Sequence, residues 1–184
     1  MRTIKVRDLM IPLAEYATVS QEATLYDAVV ALEEAQKHVE GKKERHWSIL
    51  VLDEQGRAVG KISQWAVLWA IEPKYERMGD LRATSRFGFS SEFMKSMIEY
   101  YGLWQKPFED LCKKASEISV KDVMRSPTEA EYIPEDASLD QAVHQIVLGR
   151  HRSMLVTREE SIVGVLRSSD VFKEVCERIR ACRA

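Results

Sequence analysis

The residues best suited to chemistry lie where a predicted strand runs into a helix, between Ser161 and Phe172. A short apolar run there predicts a buried strand, and the spacing after Asp170 predicts a helix with Ser168 at its N-cap. In one interpretation Ser168 and Asp170 only cap that helix, by satisfying and complementing its free N–H groups. In the other, the N–H groups bind a phosphate and Asp170 accepts both hydroxyls of a ribose. These twelve residues taken alone favour capping.

Composition and charge argue against several other functions. The 184 residues are 45% hydrophobic and 30% charged, and the net charge of −2 gives no electrostatic basis for binding nucleic acid. No apolar stretch approaches the length of a membrane span. The four histidines show no metal-ligand spacing, and no cluster pairs a nucleophile with a base. We therefore expect neither an enzyme nor a protein that binds a membrane, a nucleic acid, a metal or a cofactor.

The cysteines and the N-terminal residues give an indication of the cellular compartment. Cys112, Cys176 and Cys182 are odd in number and form no C-x-x-C motif, which favours reduced thiols. The first residues lack the apolar core of a signal peptide. We therefore expect a cytoplasmic protein.

The elements that position the Ser161–Phe172 stretch belong to an internal repeat. The segment I-K-V-R-D-L-M at 4–10 recurs as I-S-V-K-D-V-M at 118–124, and S-I-L-V at 48–51 recurs as S-M-L-V at 153–156. Gly60 then falls opposite Gly164. We predict repeats at 1–71 and 118–184, each with an opening strand, a helix, a strand hairpin and a closing helix. Because such a unit is too small to bury both faces of its sheet, two would pack together.

Helix signals recur at matching places in the two copies. Thr24 is expected to cap the first helix of the first copy, and Asp136 or Ser138 the corresponding helix of the second. The closing helices place apolar residues on one face, Trp65 with Trp69 and Val171 with Val175. These faces exceed what two small units need internally, so we expect a homodimer.

Residues 72–117 have no counterpart in the repeat and form a long connector. Ser90 is expected to cap a helix that stops at Gly102. A second short helix would place four residues together: Phe108, Leu111, Cys112 and Ala115. Such a connector is more than a tether. We favour its packing on the repeats, and the alternative is an element that binds a protein partner or acts as a lid.

With both copies laid out, the ordered pattern resembles the cystathionine-β-synthase (CBS) domain, and two copies resemble the tandem CBS pair or Bateman module. The resemblance covers residues 4–71 and 118–180. It implies an α/β (α+β) fold of two β-α-β-β-α repeats, packed sheet to sheet about a pseudo-twofold axis. It also implies clefts that bind AMP, ADP, ATP or S-adenosylmethionine, association into disc-like dimers, and a role as a sensor rather than an enzyme.

In that family the segment G-h-h-[ST]-x-x-D, in which h is an apolar residue, supplies a hydroxyl and a carboxylate to the ribose and phosphate. The second copy keeps Asp170 but has Arg167 at the hydroxyl position, and the first keeps Ser63 but has Ala66 at the carboxylate position. The first cleft is therefore expected not to hold a nucleotide in the family's manner. Arg167 is either a phosphate ligand, since a guanidinium binds phosphate bidentately, or a solvated surface residue.

We predict one adenosine-binding site per chain, in the second cleft. Its ribose would lie on Asp170 and its phosphate near Arg167 and the backbone that follows. The full predicted ligand-binding set is Asp170, Arg167, Ser168, Ser169, Arg152, Met154, Tyr132 and Ser63. The adenine nucleotide would be a regulatory ligand and not a cofactor. The alternative is a ligand-free CBS-pair module for dimerisation or protein interaction.

Overall fold

The structure is a computed structural model that describes residues 4–37, 48–72, 74–75, 88–103 and 110–182. The strands are β1 (Ile11–Pro12), β2 (Thr18–Ser20), β3 (Ser48–Leu52), β4 (Ala58–Ser63), β5 (Tyr132–Pro134), β6 (Ser153–Arg158) and β7 (Ser161–Arg167). The helices are α1 (Leu25–Lys37), α2 (Gln64–Ile71), α3 (Ser91–Tyr101), α4 (Leu111–Glu117), α5 (Val120–Val123), α6 (Leu139–Gly149) and α7 (Ser168–Ala181).

Caps fix where the helices of each repeat begin. The Thr24 hydroxyl accepts the Asp27 N–H at 3.2 Å, and the Ser138 hydroxyl accepts the Gln141 N–H at 3.3 Å, so both helix starts are confirmed. Of the two candidates for the second cap, Asp136 is the wrong one. Its carboxylate instead accepts from the Arg7 guanidinium at 2.6 Å.

The strands form two sheets with the same internal register, and this confirms the predicted α+β repeat. One sheet has the order β2-β3-β4 and the other β1-β7-β6-β5. Gly60 lies opposite Val51 in the first sheet, and Gly164 lies opposite Val156 in the second. A register shift follows at the same place in both hairpins. The two glycines therefore hold matching strand positions.

The opening segments differ from the prediction in conformation and in partner. Each was expected to be a strand of its own repeat, but Val6–Asp8 is a 3-10 turn and Val120–Val123 is a short helix. The Val6 N–H donates to the Ala137 carbonyl at 3.0 Å, and the Val120 N–H donates to the Ala23 carbonyl at 3.0 Å. Each opening segment therefore packs on the other repeat. The division of the chain at residues 71 and 117 stays a prediction.

The exchange continues into the sheets. Ile11 of β1 pairs antiparallel with Val165 of β7, and Arg125 forms the equivalent bridge to Lys61 of β4. The crossing chain lies close to a glycine on both sides. A β-carbon on Gly164 would lie 2.5 Å from the Ile11 carbonyl oxygen, and one on Gly60 would lie 2.8 Å from the Met124 sulfur. Gly164 is therefore needed for the close approach of the Ile11 backbone, whereas a β-carbon at Gly60 would meet only the Met124 side chain.

Three apolar clusters hold the repeats. Val6 is buried in the cluster of the second repeat, and Val120 is buried in the cluster of the first. A third cluster lies between the two sheets and contains Ile11, Tyr16, Leu50, Leu155 and Val165. The sheets therefore pack face to face, as the resemblance implied, and each opening segment contributes to the core of the other repeat.

The connector behaves differently in its two described helices. α4 packs against α1 and α2, which agrees with the favoured interpretation. α3 is capped by Ser90 and ends at Gly102 as predicted. Its exposed apolar residues are Phe93, Met94, Ile98 and Tyr100. Phe108, predicted in the second connector helix, lies outside the described residues.

The closing helices expose apolar residues, but only partly those expected. Trp65 and Trp69 are exposed on α2. On α7, Val171 is buried and Val175 half-buried, so the expectation for that helix was wrong; these two residues face the sheet. The exposed apolar residues of α7 are Phe172 and Ile179 instead. Within the described ranges no helix has both the length and the apolar character needed to cross a bilayer.

Candidate functional site

Arg167 and Asp170 form a close ion pair where β7 meets α7. The guanidinium Nε donates to Asp170 Oδ2 at 2.6 Å, and Nη2 donates to Oδ1 at 2.6 Å. The Arg167 side chain is 8% exposed and that of Asp170 is 22% exposed, so the cation lies deeper than the carboxylate. Arg167 is therefore not a solvated surface residue. Its guanidinium neutralises the carboxylate that was predicted to bind ribose.

Tyr16 and Ser48 of the first repeat adjoin this pair. The Tyr16 side chain is buried, and its hydroxyl shares a hydrogen bond of 2.7 Å with the Ser48 hydroxyl. Burial raises the pKa of Tyr16 above its usual value of 10.0. The hydrogen bond with Ser48 and the positive charge of Arg167 lower this pKa, and the negative charge of Asp170 raises it, but the net shift is upward. We call Arg167, Asp170, Tyr16 and Ser48 the second junction. It contains side chains from both repeats.

The other residues predicted to bind phosphate follow directly. Arg167 is the N-cap and Ser168 is the first helical residue, so α7 begins one residue earlier than predicted. The Ser168 N–H donates to the Arg152 carbonyl at 2.9 Å. Ser168 and Ser169 are half-buried, and Arg152 is exposed. The backbone thus brings these residues to the second junction.

Three further members of the predicted ligand-binding set make other contacts, although Ser63 lies opposite Ser48 of the second junction in the first sheet. Met154 is fully buried in the core of the second repeat. Tyr132 packs against the cluster between the sheets. Ser63 caps α2 in the first repeat by accepting the Ala66 N–H at 3.2 Å. Each of these side chains therefore has a packing or capping role in the structure.

A different set of charges lies on β4 of the first repeat, two residues before Ser63, the residue that aligns with Arg167. The Lys61 ammonium on β4 pairs with Glu131, and the Arg125 guanidinium donates to the other carboxylate oxygen of Glu131 at 2.6 Å. The Glu131 side chain is 2% exposed, that of Lys61 13% and that of Arg125 60%. We call Lys61, Glu131 and Arg125 the first junction. Its central ion pair joins a residue of the first repeat to a residue of the second.

Electrostatics keep Glu131 ionised in spite of its burial. Desolvation raises the pKa of Glu131, but the hydrogen bond and charge of Lys61, together with those of Arg125, outweigh it. The pKa therefore lies below its usual value of 4.5.

Sequence reasoning missed Tyr16 at the second junction and Glu131 at the first. In the matched repeats Tyr16 falls opposite Ala130, and Glu131 falls opposite Ala17. Each is thus a large polar residue that is aligned with an alanine in the other copy. This difference between the two aligned copies was the sequence feature that could have indicated that the two junctions contain different residues.

The fold defines a class of protein. The chain superposes on a CBS domain-containing protein from Bacillus anthracis str. Ames Ancestor with a TM-score of 0.62 and 17% identity, covering 96% of this chain and 95% of that one. For CBSX2 in complex with AMP the TM-score is 0.59 at 17% identity, over 94% and 97% of the two chains. At such identities the likeness shows the fold alone, which is that of a CBS pair.

Two further comparisons complete the identification. Residues 120–177 match the family model described as CBS domain, so the second repeat carries that family's sequence pattern, and the chain as a whole has the fold of a CBS pair. The CBS domain of the bacterial CNNM/CorC family Mg²⁺ transporter in complex with ATP is 16% identical, with a TM-score of 0.57 over 95% of this chain and 89% of that one.

This chain spans only 60% of protein MJ1004 from M. jannaschii, which is 20% identical with a TM-score of 0.58 over 95% of this chain. No curated protein sequence matches this chain significantly. Within the part of the chain that the structure describes, no three His, Cys, Asp or Glu side chains are close enough to hold a metal ion.

Proposed function

We propose that the protein is a regulatory module that binds an adenosine-containing ligand (AMP, ADP, ATP or S-adenosylmethionine) at the second junction. The fold supports the proposal, because proteins of this fold have been solved with AMP and with ATP. We further propose that the chain acts as a sensor and not as an enzyme, and that it works in the cytoplasm. Its three cysteines form no disulfide, which suits a reducing compartment.

The observation that carries the proposal is the position of Asp170. Its carboxylate lies in the first turn of α7, is 22% exposed and is held by Arg167. Two carboxylate oxygens offer about four acceptor positions, which suits the two hydroxyls of a ribose. The start of an α-helix also favours an anion such as phosphate.

Because the second junction contains residues of both repeats, a ligand there can report its presence. Tyr16 and Ser48 come from the first repeat, and Arg167 and Asp170 from the second. A ligand that contacts both sides would bind one arrangement of the repeats better than another. It can shift their equilibrium only through that difference in affinity.

Titration calorimetry with AMP, ADP, ATP and S-adenosylmethionine tests the proposal, with GMP as the comparison for the base. We expect an adenosine ligand to bind at one site per chain. The Asp170→Asn variant should bind it about ten- to a hundredfold more weakly, since hydrogen bonds to a charged group are lost.

Asp140→Asn is the matched control, because Asp140 lies in the first turn of α6 in the same repeat. It should bind like the wild type. If the wild-type protein binds none of these ligands at millimolar concentration, the sensor proposal fails.

A ligand-free assembly module is the second candidate function. It is favoured by the exposed apolar residues of the closing helices, among them Trp65, Leu68 and Trp69 on α2. We propose that these residues form a homodimer contact and that α3 of the connector offers a surface to a protein partner.

Light scattering on the wild type and on a Trp65→Ser variant tests the homodimer. We expect a dimer mass that falls towards the monomer mass in the variant. A monomer mass for the wild type at micromolar concentration contradicts it.

A further inference from the structure

The helices of the two repeats expose aligned positions with different chemistry. In the first repeat, exposed apolar residues lie on α1 and α2: Tyr26, Val30, Trp65 and Trp69. The residues aligned with them on α6 and α7 of the second repeat are Asp140, His144, Ser169 and Lys173. The helix surface of the first repeat is therefore aromatic and apolar where that of the second repeat is polar.

The aromatic residues of α2 form a continuous row. The ring centres of Trp65 and Trp69 are 6.3 Å apart, and Trp69 stacks on Tyr75 with a centre-to-centre distance of 5.1 Å. Trp65 is 64% exposed. We call Trp65, Trp69 and Tyr75 the aromatic ridge. Because the rings already rest on one another, covering them costs little conformational entropy.

The exposed side of α6 carries a shallow groove of about 380 Å³, which we call the α6 groove and which is lined by Asp140, Val143, His144 and Val147. This volume lies in the range of small-molecule pockets and is large enough for one indole ring. The two valines offer apolar contact, and the Asp140 carboxylate offers an acceptor for the indole N–H. The α6 groove therefore has the size and the chemistry to receive a tryptophan.

We propose that the aromatic ridge of one copy of the chain packs into the α6 groove of a second copy, so that the first repeat of each copy contacts the second repeat of the other. This inference rests on the proposed homodimer and names the surface of the partner that receives α2. Twofold symmetry makes the contact occur twice, so both ridges are covered in one closed dimer.

Shape favours this arrangement over one in which like repeats meet. A ridge fills a groove, and interfaces between protein copies are packed about as closely as protein interiors. A dimer in which first repeat meets first repeat would bring two ridges together. Its two grooves would also face each other and leave space unfilled.

Charge favours the same arrangement. The helix α1 of the first repeat exposes three carboxylates, those of Asp27, Glu33 and Glu34. The helix α7 of the second repeat exposes Lys173 and Arg180 and a single carboxylate. Contact between unlike repeats brings the acidic helix towards the more basic one, whereas contact between two first repeats would bring the carboxylates of α1 together. A lysine can also pack over a tryptophan ring, which attracts cations.

Light scattering on a ridge variant, Trp65→Asp, on a groove variant, Val147→Asp, and on their equimolar mixture tests the inference. Each variant alone should dimerise at least about tenfold more weakly than the wild type, because the substitution damages both contacts of its own dimer. The mixture should show a higher mass than either variant alone, since a mixed dimer keeps one unaltered contact. Native mass spectrometry with one variant labelled with ¹⁵N verifies that the dimer is mixed.

Tyr100→Asp is the matched control. It introduces the same carboxylate at a residue of α3 that is 83% exposed and belongs to neither surface. It should keep the dimer mass of the wild type. Circular dichroism verifies the fold of each variant, and Trp65→Ser with Val147→Ser replaces the pair if an aspartate lowers the helical signal.

The outcomes separate this inference from the proposed homodimer. If the wild type is a dimer but the mixture has no higher mass than the variants alone, like repeats meet, and the inference is overturned while the homodimer stands. A groove variant that dimerises like the wild type has the same meaning. A monomeric wild type overturns both, because the aromatic ridge is then covered by something other than a second copy.

Discussion

The first and second junctions each hold a buried ion pair, but they do not occupy matching positions, because Arg167 aligns with Ser63 and Lys61 lies two residues before Ser63 on β4. At the second junction the pair is local, because Arg167 and Asp170 are three residues apart on one element boundary. At the first junction the pair joins the two repeats, because Lys61 lies on β4 and Glu131 directly precedes β5. The ion pair of the second junction thus lies within one repeat, and the ion pair of the first junction joins the two repeats.

The two ion pairs should therefore have different effects on the packing of the repeats. A local pair can open without disturbing the packing of the repeats, because both partners stay on the same segment. A pair between repeats is an additional constraint on their relative position. The comparison indicates that the ion pair of the first junction constrains the arrangement of the repeats, whereas the ion pair of the second junction does not join them.

Glu131→Gln should have the largest effect on stability. It leaves Lys61, which is 13% exposed, without its counterion, and breaking a buried pair costs about 3–5 kcal/mol. Urea unfolding should show a loss of that size in the free energy of unfolding. The control is Glu22→Gln, whose exposed pair with Lys121 contributes at most about 1 kcal/mol. Equal losses in the two variants would mean that the first junction is not a buried constraint.

Asp170→Ala should come next, with a loss of about 2–3 kcal/mol in the free energy of unfolding, because it removes the carboxylate that accepts two hydrogen bonds from the buried guanidinium of Arg167. Arg167→Ser should cost about 1 kcal/mol, since Asp170 is partly hydrated and lies in a helix first turn that favours a carboxylate. Thermal and urea unfolding measure both. A larger loss for Arg167→Ser than for Asp170→Ala would contradict the order of burial within the pair.

Substitution of the two matching glycines should have a smaller effect on stability. Gly164→Ala should cost about 2 kcal/mol, because its β-carbon would lie 2.5 Å from a backbone oxygen that cannot move alone. Gly60→Ala should cost about 1 kcal/mol or less, since it meets the flexible end of the Met124 side chain at 2.8 Å. Urea unfolding of both variants gives the comparison. A larger loss in the free energy of unfolding for Gly60→Ala than for Gly164→Ala would contradict this expectation.

The smallest effect is a dependence on pH. The folded-state pKa of Glu131 lies below its usual 4.5, so its ion pairs stabilise the protein above that pH. The contribution is lost as the pH falls through the folded-state value. The difference in the free energy of unfolding between the wild type and Glu131→Gln should therefore narrow below about pH 4.5. A difference that stays constant down to pH 3 would rule out Glu131 as the source.

Most of the fold could be predicted because local sequence patterns determine the elements of the repeat. Helical spacing, capping residues such as Ser138, and the strand hairpins are decided by neighbouring residues. The packing of each opening segment on the other repeat was not predicted, because that choice is not local. Val6 packs near Ile133, and nothing in the sequence around either residue indicates which sheet accepts it.

The candidate site was predicted less completely, for a similar reason. The position of Asp170 followed from the order of Gly164 and the residues after it. The ion pair between Arg167 and Asp170 was not predicted, although it is local, because the sequence does not show that the Arg167 side chain is buried. The first junction went unnoticed because its residues are distributed over β4, the turn before β5 and the crossing segment at Arg125.

The reciprocal exchange of the opening segments makes the two repeats one cooperative unit of folding. Neither repeat contains the whole of its own core, since Val6 completes one and Val120 the other. A chain cut within the connector would yield halves that each lack a core residue and each carry the residue that the other needs. Such halves would be stable only when they recombine, and the intact chain therefore has the connectivity of two arm-exchanging subunits fused into one.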